Sequence, residues 1–198
     1  MGHAFKTEQW VAYPVELVFA FFASPGNLQA LTPRWQRARV EETVLRPPPP
    51  RPVAAEPALR LRSVAAGEGS RITFSFRPFP FSPLRLPWEA HIVDFEWNSH
   101  FTDVQVRGPF AAWHHRHSFE TETRANEDGV PIHGTLVRDE IEYEIGAGAL
   151  GRFTNKIFAQ RRIRKLFEFR QRQLAKLLPR LFAGLPFAGQ RPPLPPQP

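Results

Sequence analysis

The sequence predicts an α+β domain: one strand, two short helices, a run of antiparallel strands and a long C-terminal helix. Three observations lead there. Between Ser70 and Ile145, apolar residues recur at every second position; after Leu150 they recur at helical spacing. The third is size: 198 residues, 42% hydrophobic and 23% charged, suit one ordinary folded domain.

Phe5 to Val11 alternates weakly and reads as the first strand. Pro14 opens an apolar run of Val15, Leu17, Val18, Phe21 and Phe22 at helical spacing, which Ser24-Pro25-Gly26 stops. Asn27 to Leu31 reads as a second short helix, broken by Thr32-Pro33, and Arg37 to Leu45 as a second strand. The prolines at 47–50, 52 and 57 cannot enter a sheet interior, so about 46–58 reads as an extended insertion. Ile72, Phe74 and Phe76 then alternate with polar residues. After a proline-rich link, period-two runs cover Trp88–Trp97, His100–Arg107, Ala111–Thr123 and Gly134–Ile145. Their links are short, which favours an antiparallel meander. Leu150, Phe153, Ile157, Ile163, Phe167, Leu174 and Leu178 mark one long helix, expected to end at Pro179. The domain reading is therefore one unit over 1–183 and a proline-rich, disordered tail over 184–198.

Composition narrows the chemistry. Cysteine is absent, which removes disulfides, thiol nucleophiles and Cys-based zinc sites. The first ten residues are mixed polar, unlike a signal peptide, and Lys6 stands where a myristoylation signal needs Ser or Thr. The longest apolar stretch, Val11 to Ala23, is interrupted by Pro14 and Glu16 and falls short of the ~20 residues that span a bilayer. A cytoplasmic location is expected. Phosphate-loop, nucleophile-elbow, His-Glu-x-x-His, RNA-recognition and zinc-finger patterns are all missing. Arg191 to Pro196 has polyproline-ligand spacing, read as part of the tail.

Four segments carry a resemblance. Val18-Phe19-Ala20-Phe21-Phe22-Ala23-Ser24-Pro25-Gly26-Asn27-Leu28 resembles the helix-turn of the SRPBCC superfamily, which includes START-domain, Bet v 1-like and polyketide-cyclase-like proteins. Gly108-Pro109-Phe110 and the stretch Trp113 to Glu120 resemble it too. Val137 to Tyr143, ahead of Gly148-Ala149-Leu150-Gly151, is similar to the last strand and helix start of the bacterial cyclase/dehydrase-like branch. The resemblance runs from about Phe5 to Leu174, outside the insertion and the tail. It implies a helix-grip fold, a curved sheet wrapped around the long helix with a cavity between them. Members bind lipids, sterols, polyketides or other apolar molecules, and a minority are enzymes; fold alone does not choose among these.

Strand parity places the polar candidates. Trp113, His115, His117 and Phe119 share one face, and the two aromatics mark it as inward. In the next strand Val137, Asp139, Ile141 and Tyr143 share a face, so Asp139 lies opposite or diagonal to one of the histidines. Gln105 joins from the neighbouring strand unless Gly108 bends it away. Three readings compete. A buried His–Asp network orients a ligand's carbonyl or hydroxyl; one histidine acts as general acid or base in a cyclisation or dehydration, with Asp139 setting its tautomer; or the two histidines and Asp139 hold zinc or iron. The first is adopted, with no metal, no cofactor and no assigned catalytic residue. Its ligand-binding set is Phe74, Phe76, Gln105, Trp113, His115, His117, Asp139, Tyr143, Phe153 and Ile157.

Charge is uneven along the chain. Gly146 to Pro198 carries a net +10 and the remainder −3. On the long helix Arg161, Arg162, Lys165, Arg172 and Lys176 lie off the apolar stripe, which suits a solvated face or peripheral contact with an anionic membrane. Nucleic acid is disfavoured, because no stacking aromatics interleave with these charges. The expected function is binding or transfer of a small hydrophobic molecule; the alternative is a cyclase- or dehydratase-like enzyme using His115 or His117 with Asp139.

Overall fold

The structure, a computed structural model, describes residues 2–54, 59, 64–146 and 156–185, the side chains of 156–158 excepted. Strands β1 (His3–Val11), β2 (Arg39–Val44), β3 (Arg71–Phe76), β4 (Leu86–Glu96), β5 (His100–Arg107), β6 (Ala112–Ala125) and β7 (Pro131–Glu144) form one sheet. Helix α1 (Val15–Phe22) follows β1, and helix α2 (Lys156–Leu181) follows β7. The sheet order is β1-β7-β6-β5-β4-β3-β2, antiparallel at every step. Register shifts within the β4–β5 and β2–β3 pairs bend the sheet, as extra residues in a ladder do. A curved antiparallel sheet with a long C-terminal helix is the helix-grip arrangement that the sequence resembles.

Two expectations need correcting. Asn27 to Leu31 is no α-helix: the 3-10 helix at Pro25–Asn27 runs on in i,i+3 turns as far as Thr32, and a second 3-10 helix follows at Arg34–Gln36. Prolines at 25 and 33 open both, and runs this short keep to i,i+3 bonding. Nor does Pro179 end α2, which continues to Leu181. A proline in the last turn forfeits one backbone bond, but the Phe182 N–H still donates to the Leu178 carbonyl at 3.0 Å. Expected residues 147–155 at the start of that helix, and the tail from 186 on, lie outside the described residues.

The proline insertion is tied to the body. The Trp97 indole donates to the Pro49 carbonyl at 2.7 Å, and the Arg51 guanidinium sits 4.3 Å from the Trp97 ring centre. Gly67 approaches so closely that an added Cβ would lie 2.5 Å from the Pro48 backbone.

The core has two parts. One gathers around Phe19 of α1, fully buried, which meets Phe95, Phe101 and Phe119 edge-on. Leu174 and Leu178 of α2 close it. The other holds Trp88, Trp113, Ile141 and Tyr143 of the sheet against Ile163 and Phe167 of α2. Burying each large side chain contributes roughly 1.5–3 kcal/mol. Between the two parts, on β6, sit His115 and His117.

Candidate functional site

Register builds the site from three adjacent strands. Asp103 of β5 pairs with His115 of β6, and His117 pairs with Asp139 of β7. All four side chains point to the concave face, where α2 covers them, and both histidines are buried. His115 lies between the two carboxylates: its Nε2 donates to Asp139 Oδ1 at 3.0 Å, and its Nδ1 is 3.3 Å from Asp103 Oδ2. His117 Nδ1 is 2.7 Å from the same Asp139 oxygen without meeting hydrogen-bond geometry, and its Nε2 is 3.9 Å from Asp103 Oδ2. From α2, the half-buried Arg170 brings its guanidinium toward both carboxylates; its Nε is buried with no hydrogen-bond partner, and its head lies 4.8 Å from the Phe167 ring centre.

The charges follow from these contacts. Burial alone pushes the Asp139 carboxyl up, but His117 and His115 outweigh it and hold Asp139 well below the usual carboxylate range. Asp103 is likewise lowered against its burial, by His115, His117 and Arg170. Burial pushes His115 down, yet two facing carboxylates raise it. His117 goes the other way: burial and the charge of His115 lower it, and Asp139 and Asp103 do not make up the difference. Beside two carboxylates and one guanidinium, protonation is therefore favoured at His115 and disfavoured at His117.

Aromatic side chains surround this cluster. Phe101 lies over His117 at 4.4 Å between ring centres, Phe22 is 5.8 Å from it, and Phe167 meets His115 edge-on at 5.6 Å. Trp113, edge-on to His115 at 6.1 Å, leads on to a larger group. There Trp88 stacks on Phe74 and meets Trp113 edge-on, with Phe76, Phe110 and Tyr143 beside them. Phe74, Phe76 and Phe110 are half-buried, whereas Trp113 and Tyr143 are buried. Two grooves open nearby. One, of about 460 Å³, reaches Trp113, Tyr143 and Gln105 at the end of the sheet. The other, of about 390 Å³, runs between β1 and α2 and reaches Phe5 and Phe167.

Of the residues expected at the site, His115, His117 and Asp139 come together, and Phe74, Phe76, Trp113 and Tyr143 form the adjoining aromatic group. Gln105 does not join the histidines. Its amide donates to the Phe110 carbonyl at 2.8 Å and accepts from the Phe110 N–H at 3.3 Å, fastening the turn at Gly108. Phe153 and the side chain of Ile157 lie outside the described residues. Sequence reading missed two members. Asp103 shares the strand parity of Phe101 and Gln105, and Arg170 stands three residues after Phe167 and four before Leu174, inside the apolar stripe of α2. Both signals were in the spacing.

The expected basic face is exposed at Arg161, Lys165, Arg172 and Lys176. Arg162 instead lies over aromatic rings, 5.6 Å from Trp35 and 5.1 Å from Phe79. Among the described residues, no helix is long and apolar enough to cross a membrane.

No protein-family model matches this chain, and no curated protein sequence matches it. Solved structures do. A crystal structure of Ara h 8.0201 aligns over 90% of this chain and 99% of its own, at 11% identity and a TM-score of 0.52. Protein CV1439 from Chromobacterium violaceum aligns over 88% of this chain and 95% of its own, at 14% identity and a TM-score of 0.52. Likeness at these identities is likeness of fold alone, and the shared fold is the helix-grip arrangement of a curved antiparallel sheet with a long C-terminal helix.

Proposed function

We propose that this helix-grip chain binds a small hydrophobic molecule carrying one polar group, between the concave sheet face and α2. One observation carries the reading: Trp113 joins a half-buried aromatic group to the buried His115 with no break, the two rings being 6.1 Å apart. Apolar walls with a few convergent polar groups are what such sites consist of. Phe74, Phe76, Trp113 and Tyr143 supply the walls, and His115, His117 and Asp139 meet the polar end. Binding fits the electrostatics better than general-base chemistry at His115, since the two facing carboxylates favour its protonated form. His117, kept neutral, is the residue that a cyclase- or dehydratase-like reaction would need.

The test is native mass spectrometry of the freshly purified chain with organic extraction, paired with titration by an apolar fluorescent dye. A stoichiometric apolar adduct, or saturable dye binding weakened about tenfold or more by Phe110→Asp, supports the reading. Absence of an adduct together with dye affinity unchanged by Phe110→Asp overturns it.

A specific surface feature favours a second element of this reading, collection of the ligand from an anionic membrane. The loop between β3 and β4 carries Phe79, Phe81 and Leu84, which are 48%, 96% and 71% exposed. Arg162 lies over Phe79, so this apolar tip adjoins the basic face of α2. Apolar side chains beside basic ones are the means by which peripheral proteins sit on anionic lipid.

A further inference from the structure

We propose that Asp103, His115 and His117 form a binding site for a divalent transition metal of the zinc or iron(II) kind, with Asp139 orienting both imidazoles. This goes beyond the apolar-ligand reading, does not depend on it, and runs against the expectation of a metal-free protein.

The donor set comes first. Each residue offers one atom, and the three lie within 4.8 Å of one another. With bonds of about 2.1 Å, donors around a tetrahedral zinc are about 3.4 Å apart. Asp103 Oδ2 is 3.3 Å from His115 Nδ1 and 3.9 Å from His117 Nε2, so small side-chain adjustments would seat an ion. Two imidazoles and a carboxylate suit zinc, iron(II) or cobalt, and disfavour calcium and magnesium, which prefer all-oxygen shells.

The outer contacts are the stronger argument. A metal-bound histidine donates its other ring N–H to a carboxylate or carbonyl, which fixes tautomer and ring orientation. Here both outer nitrogens, His115 Nε2 and His117 Nδ1, face the same Asp139 oxygen at 3.0 and 2.7 Å. His117 Nδ1 lacks hydrogen-bond geometry at present, and a modest ring rotation would align it. One carboxylate thus faces the inner nitrogens of both rings, and a second faces their outer nitrogens. A His–Asp pair that only satisfies its own hydrogen bonds needs one carboxylate. Phe22, Phe101, Trp113 and Phe167 enclose the cluster in an apolar shell, which strengthens charge interactions inside it.

Arg170 is the opposing charge. With both histidines neutral, a divalent ion and Arg170 exceed the two carboxylates by one positive charge. Arg170 Nε has no partner, so an anionic oxygen beside the ion would balance the site and complete its coordination. The ligand class this points to is an apolar molecule bearing a carboxylate or an enolic oxygen.

The experiment uses the full chain, stripped with a chelator and titrated with Zn²⁺ against a chromophoric chelator, and with Co²⁺ followed by its visible ligand-field absorption. Expected are one ion per chain, loss of stoichiometric binding in Asp103→Asn and His117→Gln, and a roughly 10–100-fold weaker affinity in Asp139→Asn. His133→Asn, an exposed position on β7, serves as the control and leaves affinity unchanged. Less than one ion per wild-type chain overturns the proposal, as does equal affinity across wild type, Asp103→Asn and His117→Gln. Should a variant fail to fold, imidazole nitrogen NMR of the wild type decides: Zn²⁺ that leaves His115 Nδ1 and His117 Nε2 unperturbed overturns it.

Discussion

His115 and His117 stand two residues apart on β6 with their ring centres 3.9 Å apart, facing the same two carboxylates. Held so closely, both cannot be charged at once without mutual repulsion. The pair therefore holds one proton between them: His115 is raised and His117 lowered, with Asp103, Asp139 and Arg170 as the charged groups facing them.

That single proton gives the chelator-treated protein a stability optimum in pH. An unfolded chain carries two protons on this pair below about pH 6.5 and none above it. The folded pair keeps one on both sides, between the lowered pKa of His117 and the raised pKa of His115. Below pH 6.5 the unfolded state binds the extra proton, so stability rises with pH; above it the folded state does, so stability falls. Each slope approaches roughly 1.4 kcal/mol per pH unit. The lowered carboxylates add a further loss in acid, absent above their unfolded pKa near 3.9 and growing as pH falls through their folded values. Urea midpoints of the metal-free chain at pH 5, 6.5 and 8 check the optimum. A steady rise or fall across the three contradicts the shared proton.

Phe19 sets the mechanical limit of the core. It is fully buried in α1 and touches Phe95, Phe101 and Phe119 from three different strands. Phe19→Ala should cost about 3–5 kcal/mol, because these rings cannot collapse together into the space left. Chemical denaturation measures it, and a loss under about 1 kcal/mol would mean that the core relaxes freely.

How far the sequence alone led depends on the kind of signal. Period two on β6 and β7 put His115, His117, Asp139, Trp113 and Tyr143 on the concave face, because one buried face forces strict alternation. The same rule applied to β5 would have found Asp103, whose parity Gln105 shares. Gln105 was expected there instead, subject to a bend at Gly108, and its amide is spent on Phe110. Arg170 sits in the apolar stripe of α2, whereas the sequence reading looked for the helix's basic residues off that stripe. That inference fails wherever buried carboxylates wait across the interface. Pro179 misled because proline in a last turn costs little when the preceding carbonyls still find donors.

Gly134 of β7 reports the close approach of β1. A Cβ there would come within 2.4 Å of the Trp10 ring and 2.5 Å of the Val11 carbonyl oxygen, while the Trp10 indole is held by the Glu122 carbonyl at 3.1 Å. Gly134→Ala should therefore destabilise by about 1–3 kcal/mol. Adding Trp10→Ala should recover only part of that, since the Val11 carbonyl still clashes; complete recovery in the double-mutant cycle would show that the backbone can move aside.

Membrane contact makes the last prediction, since it pits an apolar tip against a charged face. Phe81 is 96% exposed at the end of the β3–β4 loop, so Phe81→Ser should leave the melting temperature unchanged. Arg161 and Lys165 are exposed on α2, and each basic residue near an anionic surface contributes about 1 kcal/mol. Reversing both to Glu should weaken binding to phosphatidylserine vesicles by more than about tenfold, and added salt should do the same to the wild type. Phe81→Ser should weaken the salt-resistant remainder. Co-sedimentation with anionic and neutral vesicles separates the contributions. Equal binding to both kinds of vesicle would assign the contact to the loop alone. Binding to neither would leave the Phe81 loop and the basic face without a lipid role, and ligand would then have to enter from solution.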